Sequence, residues 1–278
     1  MDTGELLKRY AAGERDFREA NLKKASLIGV NLSEANLRGA NLSEANLTGA
    51  SLVRVNLREA NLNQAILRAD LSQANLIGSN LSQADLSEAN LSDASLRAAN
   101  LTQANLSRAN LTEAFLSEAV LREANLSLAK LINAPLSRAN LTNIILTGAN
   151  LEGANLSNAI LIGANLEKAN LANAILNGVN ASGADFTQAD LSRAKLSGTN
   201  FTNVILIDAN LRGANISWTT LRGANLTRAN LYRAKLYWSN LTGAILKETV
   251  LIDAKLNQVN LRNADLTGTI MPSGSSHE

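Results

Sequence analysis

Ala99-Asn100-Leu101-Thr102-Gln103-Ala104-Asn105-Leu106-Ser107-Arg108-Ala109-Asn110-Leu111 repeats one unit of five: alanine, a polar residue, leucine, then two residues that vary. The pattern runs from Ala20-Asn21-Leu22 to Ala264-Asp265-Leu266. With each leucine taken as a centre, the centres fall at 17, 22 and on by fives to 67, resume at 71, and continue by fives to 271. Leucine holds 46 of these 52 centres, the others being Phe17, Ala181, Phe186, Phe201, Ile216 and Met271, and alanine stands two before the centre in 39 units. Both residues favour helix, but at about 100° per residue successive centres would step by about 140° and visit every side of a helix. No buried stripe could form. Alanine and leucine two apart instead match the period of an extended segment, which points both to one side. The two residues that follow break the alternation, so each quintet reads as a short strand and a corner.

If each corner turns the chain by about 90°, four quintets close a square coil of 20 residues with leucine and alanine inside, and stacked coils share backbone hydrogen bonds about 4.8 Å apart. Fifty-two units then predict about 13 coils and a rod roughly 60 Å long at that spacing. The Asn or Asp before each centre faces outward near a corner, where its side chain can hydrogen-bond local backbone.

These residues resemble the pentapeptide-repeat proteins, whose motif is Ala-(Asn/Asp)-Leu-x-x, over about residues 15 to 271. The resemblance implies an all-β fold, a right-handed quadrilateral β-helix. Residues 1–14 read as an N-terminal helical cap, 15–271 as the β-helix and 272–278 as a C-terminal tail. Asp2 or Thr3 is the expected N-cap of a short α-helix, Gly4 to Ala12, with Leu6, Leu7 and Tyr10 on one side and Gly13 as its stop. Pro272, Ser273 and Gly274 end the pattern and predict a mobile tail. The opening Gly4-Glu5-Leu6-Leu7-Lys8-Arg9-Tyr10 and the closing Ile270-Met271-Pro272-Ser273-Gly274 are similar to the ends of cyanobacterial family members, some of which regulate heterocyst differentiation. That similarity implies a cyanobacterial source.

Composition narrows the chemistry. Cysteine is absent and the single histidine is His277, which excludes disulfides, Ser/His/Asp triads and Cys/His metal sites. The expectation is a non-enzyme with no catalytic residue, metal or cofactor. No apolar run is long enough to span a bilayer, so a cytoplasmic protein with no membrane association is expected, and capped ends favour a monomer. The sequons Asn-Leu-Ser and Asn-Leu-Thr follow automatically from the repeat and carry no separate meaning.

Two irregularities stand out. In Ile66-Leu67-Arg68-Ala69-Asp70-Leu71 one residue is missing, so one corner near the end of the third coil must be tighter than the rest. Ala181 leaves a hole where leucine is expected, and the extra volume of Phe186 and of Phe201, one coil later, is expected to fill it.

Specificity must lie in outward positions. Trp218 and Trp238 are both two past a centre and 20 residues apart, which predicts a stack at one corner. Tyr237 neighbours Trp238, Tyr232 and Arg233 lie on the preceding side, and Lys235 falls in register with Lys195 and Lys255. Residues 193–262 carry ten Lys or Arg against three acids. Trp, Tyr and Arg are over-represented in binding hot spots, so Trp218, Tyr232, Arg233, Lys235, Tyr237 and Trp238 form the candidate surface for an unidentified protein partner. Three readings compete with it: a surface with no partner, a nucleic-acid or anion site on the basic patch, and mimicry of duplex DNA to modulate gyrase, which the resemblance implies for some members. Mimicry needs a negative surface. A net charge of +2 with a basic last third disfavours it.

Overall fold

The computed structural model describes residues 1–277, and the chain divides into two compact units, Met1–Asn140 and Leu141–Glu278. Both are built from the same bonds. β structure consists of isolated parallel bridges at the residue before each centre, spaced 20 residues apart, as in Asn80 to Asn100 in the first unit and Asp185 to Ile205 in the second. Leu101 N–H donates to Val120 C=O at 2.7 Å on one neighbouring coil, while Asn100 N–H donates to Ser79 C=O at 2.9 Å on the other. Within the unit a tight turn follows, Ala104 N–H donating to Leu101 C=O at 3.0 Å. Strand and corner thus alternate every five residues, and one contact column recurs every four corners.

The corner has a backbone demand that the sequence pattern conceals. Among the described residues two past a centre, all but Ala69 and Ser273 have positive φ, for example Gln103 at 57° and Glu118 at 62°. That left-handed region costs an L-residue about 1–2 kcal/mol, and glycine avoids the cost. Gly163 shows the second reason for glycine here, since a Cβ would sit 2.5 Å from Oδ1 of Asn143. The outward Asn offsets part of the cost: its Oδ1 accepts from the N–H two residues on, as Asn31 does from Ser33 at 2.9 Å. Asn side chains also bond each other between coils, Asn56 Nδ2 donating to Asn36 Oδ1 at 3.0 Å.

Leucine centres and the alanines two before them are buried almost without exception. Where threonine replaces alanine, its hydroxyl is satisfied by a carbonyl one coil away: Thr249 Oγ1 donates to Leu226 C=O at 2.7 Å and Thr269 Oγ1 to Leu246 C=O at 2.6 Å. Thr249→Val keeps the shape and removes the bond, so urea unfolding should show a loss of about 0.5–1.5 kcal/mol. An unchanged midpoint would mean that the hydroxyl contributes nothing to the stack.

Helix α1 spans Thr3–Ala11, one residue earlier than Gly4 to Ala12, and Asp2 rather than Thr3 caps it, accepting from Glu5 N–H at 2.8 Å. Leu6 is fully buried, Tyr10 Oη donates to Ser33 C=O at 2.9 Å, and the Arg9 guanidinium lies 5.6 Å from the Phe17 ring centre. At the other end the expectation of a mobile tail is corrected. Ser276 bridges Ile270 in antiparallel fashion, and Met271 N–H donates to Ser275 C=O at 2.8 Å, so residues 272–277 fold back as a small hairpin. Gly274, with φ of 86°, supplies the reversal. Glu278 lies outside the described residues. This hairpin leaves Leu256, Leu261, Leu266 and Met271 only half-buried, unlike the leucines of the inner coils.

The short corner is accommodated within its own coil. Ala69 is a bend without positive φ, yet it remains buried, and Asp70 N–H still reaches Ala50 C=O at 3.1 Å. Bridges across this coil span 19 residues, from Ser51–Asp70 to Ile66–Asp85, and the spacing of 20 returns at Asp70–Asn90. Outward columns therefore stay aligned through the deletion. Around Ala181, the two large residues lie beside each other in the core: Ala181, Phe186 and Phe201 are all fully buried, and the two rings are 5.4 Å apart at 50°.

Candidate functional site

The predicted patch forms on the second unit, across two successive corners and the side between them. Trp218 and Trp238 occupy the left-handed turn position on adjacent coils, each with φ of 60°. Their rings stack at 5.3 Å with an interplanar angle of 6°. They remain 65% and 54% exposed, which is unusual for side chains this large. A bulky residue in the left-handed region is disfavoured, and here the backbone cost is not offset by burial. Gly198 precedes Trp218 in the same column and has nothing within 4 Å of the place a Cβ would take. A free step therefore lies beside the indole stack.

The preceding corner carries the tyrosine and arginine. Tyr232 is half-buried, and its ring is engaged by two guanidinium groups, Arg233 at 4.8 Å and Arg212 at 5.2 Å from its centre. Arg233 also reaches across one coil to Asp253, Nε to Oδ2 at 3.3 Å. Between the corners Lys235 is exposed and bridges Asn215 on one side and Lys255 on the other, with Lys195 one coil beyond Asn215. Tyr237 is half-buried at the foot of Trp238. All six residues named from sequence thus fall on one contiguous surface.

Sequence reading missed the recess beside it. Arg193, Asn210, Arg212, Gly213, Tyr232 and Arg233 surround an open hollow of about 470 Å³. Gly213 produces it: in the column Arg193, Gly213, Arg233 the middle member has no side chain. Reading the corner at intervals of 20 residues would have exposed this gap.

What distinguishes this surface is that its unpaired cations lie side by side. Many cations elsewhere pair with carboxylates on neighbouring coils, as in Arg38–Glu59 at 3.1 Å, Arg54–Glu34 at 2.7 Å and Lys23–Glu44 at 3.3 Å, while Arg122, Lys130, Arg138, Arg222 and Arg262 stand singly without such a pair among the described residues. On another corner of the second unit Arg228 grips Asp208 with two bonds of 2.7 Å, and that hydrogen bonding holds the Asp208 carboxyl below its ordinary range. Among the described residues, no carboxylate comes within 4.0 Å of Arg193, Arg212, Lys195, Lys235 or Lys255. Among the described residues no group of His, Cys, Asp or Glu is arranged to hold a metal ion, and no helix is long and apolar enough to cross a membrane.

The family described as Pentapeptide repeats matches the chain in eight stretches, residues 16–52, 31–68, 68–108, 99–137, 134–171, 164–203, 209–247 and 244–271. Among solved structures, HetL from the cyanobacterium Nostoc sp. strain PCC 7120, a pentapeptide repeat protein involved in heterocyst differentiation regulation, is 34% identical. Its alignment covers 100% of both chains, with a TM-score of 0.28. The pentapeptide repeat protein alr5209 from Nostoc PCC 7120 is 36% identical over 39% of this chain and 80% of its own, with a TM-score of 0.22. Rfr23 from the cyanobacterium Cyanothece 51142 is 30% identical over 34% of this chain and 59% of its own, with a TM-score of 0.18. No curated protein matches.

Proposed function

The chain belongs to the pentapeptide-repeat family, and from that premise we propose that it is a non-enzymatic scaffold that binds a protein partner through the Trp218–Trp238 surface. The coils supply the scaffold. Their interior is occupied by leucine and alanine, and the N–H of the left-handed corner residue donates to the next coil, as Gln103 does to Arg122 C=O at 2.9 Å, so chemistry is left to outward side chains. We read the repeats as about 13 right-handed coils and helix α1 as the cap of the first, on the strength of the buried Leu6 and the Tyr10–Ser33 bond. Similarity to HetL supports a regulatory role in a cyanobacterium.

The observation that carries the binding assignment is the exposed indole stack, 65% and 54% accessible. Two large aromatic faces held in a fixed mutual geometry lose little conformational entropy on binding, which is what a hot spot requires. Trp218→Ala combined with Trp238→Ala should abolish capture of the partner from a cyanobacterial lysate while the circular-dichroism spectrum and melting curve stay unchanged, because both side chains lie outside the core. Capture undiminished by the double substitution would place the binding surface elsewhere.

Mimicry of duplex DNA is disfavoured by the same surface. A gyrase ligand of that kind presents negative charge at phosphate spacing, whereas this face presents Arg193, Arg212, Lys195, Lys235 and Lys255 with no carboxylate among the described residues within 4.0 Å. Gyrase supercoiling should therefore proceed normally in the presence of the protein.

A further inference from the structure

We propose that the side of the second unit bearing Lys195, Lys235 and Lys255 binds a carboxylate-rich segment of a protein, with Arg193 and Arg212 receiving its acidic side chains in the recess over Gly213. This deepens the binding role assigned above and rests on it. The reasoning starts from placement. Lys235 and Lys255 sit directly opposite one another on bridged strands, an arrangement in which like charges oppose each other and destabilise the sheet. Lys195 follows two coils away in the same column, with Asn215 between. On one border of this side stand Arg193, Arg212 and Arg233, on the other Trp218 and Trp238.

Like-charge stacking is not how this chain normally arranges its surface. Glu34, Glu44 and Glu59 each meet a basic side chain from a neighbouring coil, and Asp208 meets Arg228. A carboxylate in register would equally relieve the lysine column, yet the positions that could carry one hold Asn215, Asn210 and Gly213. The unpaired cations therefore await counter-charge from outside. A guanidinium is a fork with five donors, matched to the two oxygens of a carboxylate. The guanidinium of Arg212 is partly immobilised on Tyr232, so less freedom is lost when it closes on an anion.

The aromatic groups favour an acidic protein segment over a single-stranded nucleic acid, which stacks successive bases on free rings. Tyr232 is already engaged by two guanidinium groups and the two indoles are stacked on each other. What stays open is the step at Gly198 beside Trp218. It suits one apolar or aromatic side chain of a peptide better than a run of bases.

The chain contains two tryptophans, both in this patch, so intrinsic tryptophan fluorescence reports on this site alone. The full chain would be titrated with three probes: a twelve-residue peptide of Glu and Asp with one central Phe, the matched Gln/Asn peptide, and a twelve-nucleotide oligothymidylate. The acidic peptide should change the fluorescence saturably, with affinity falling at least tenfold between low and physiological salt. The Gln/Asn peptide should leave it unchanged. Arg193→Gln with Arg212→Gln should weaken the acidic peptide at least tenfold at an unchanged melting temperature. No saturable response to the acidic peptide at low salt, equal affinity for the Gln/Asn peptide, or tighter binding of the oligothymidylate would each overturn the proposal. Lysate capture separates the two levels. Capture that survives Arg193→Gln with Arg212→Gln but is lost with the tryptophan pair sinks the acidic-segment assignment and spares the scaffold reading, while capture that survives both removes the reading on which it rests.

Discussion

Replacing Phe201 with alanine should lower the stability of the second unit by about 3–5 kcal/mol, read as a shift of the urea midpoint. Phe201 lies in the same column as Ala181, whose N–H donates to Asn200 C=O at 2.9 Å, so the buried ring belongs to the coil next to the site where a leucine is missing. Removing it leaves two consecutive alanines in a column of large residues, next to a Phe186 that has lost its neighbour at 5.4 Å. Ala181→Leu alone should also destabilise, by about 1–3 kcal/mol, because the space is already filled. Combining Ala181→Leu with Phe201→Leu restores the ordinary repeat and should recover most of the loss in either single substitution. Strict additivity of Ala181→Leu and Phe201→Leu would show that the residues are not packed against one another.

Leu6→Asp should release helix α1 and convert the protein into a species that associates as its concentration rises. The leucine is fully buried, and a carboxylate there would lie in an apolar setting without a partner, a penalty of several kcal/mol. Once the helix detaches, Phe17 and the free backbone groups of the first coil face water. An unprotected strand edge recruits other chains. Light scattering over a concentration series checks this, and a monodisperse Leu6→Asp variant would show that the helix is not needed to protect that end.

The five-residue period made the fold legible because it fits neither an amphipathic helix nor a continuous strand, and Ala-x-Leu spacing fixes which side chains face in. Trp218, Tyr232, Arg233, Lys235, Tyr237 and Trp238 could be placed together by counting in twenties, since every residue's column follows from its number. Three features escaped that arithmetic. The positive φ two past each centre was hidden because Glu, Arg, Gln and Trp occupy it as well as Gly, and composition alone does not betray a backbone demand that so many side chains meet. The recess at Gly213 was missed because a hollow is defined by an absent side chain among its neighbours. The C-terminal hairpin was read as a loose tail because Pro272, Ser273 and Gly274 signal the end of a repeat and a reversal equally well.

The short corner between Leu67 and Asp70 shows how such a chain tolerates changes of length. One residue was lost there and the columns beyond it kept their phase, since the corner still counted as a corner. Loss or gain of a complete quintet would be different: inserted between Trp218 and Trp238, it would carry the second indole a quarter of the way round and dismantle the stack without disturbing the interior. Twenty residues would restore the phase but separate the indoles by one extra layer. Within the second unit, descendants of this gene can therefore trim single corner residues, or exchange whole layers away from the patch, and still present the same face.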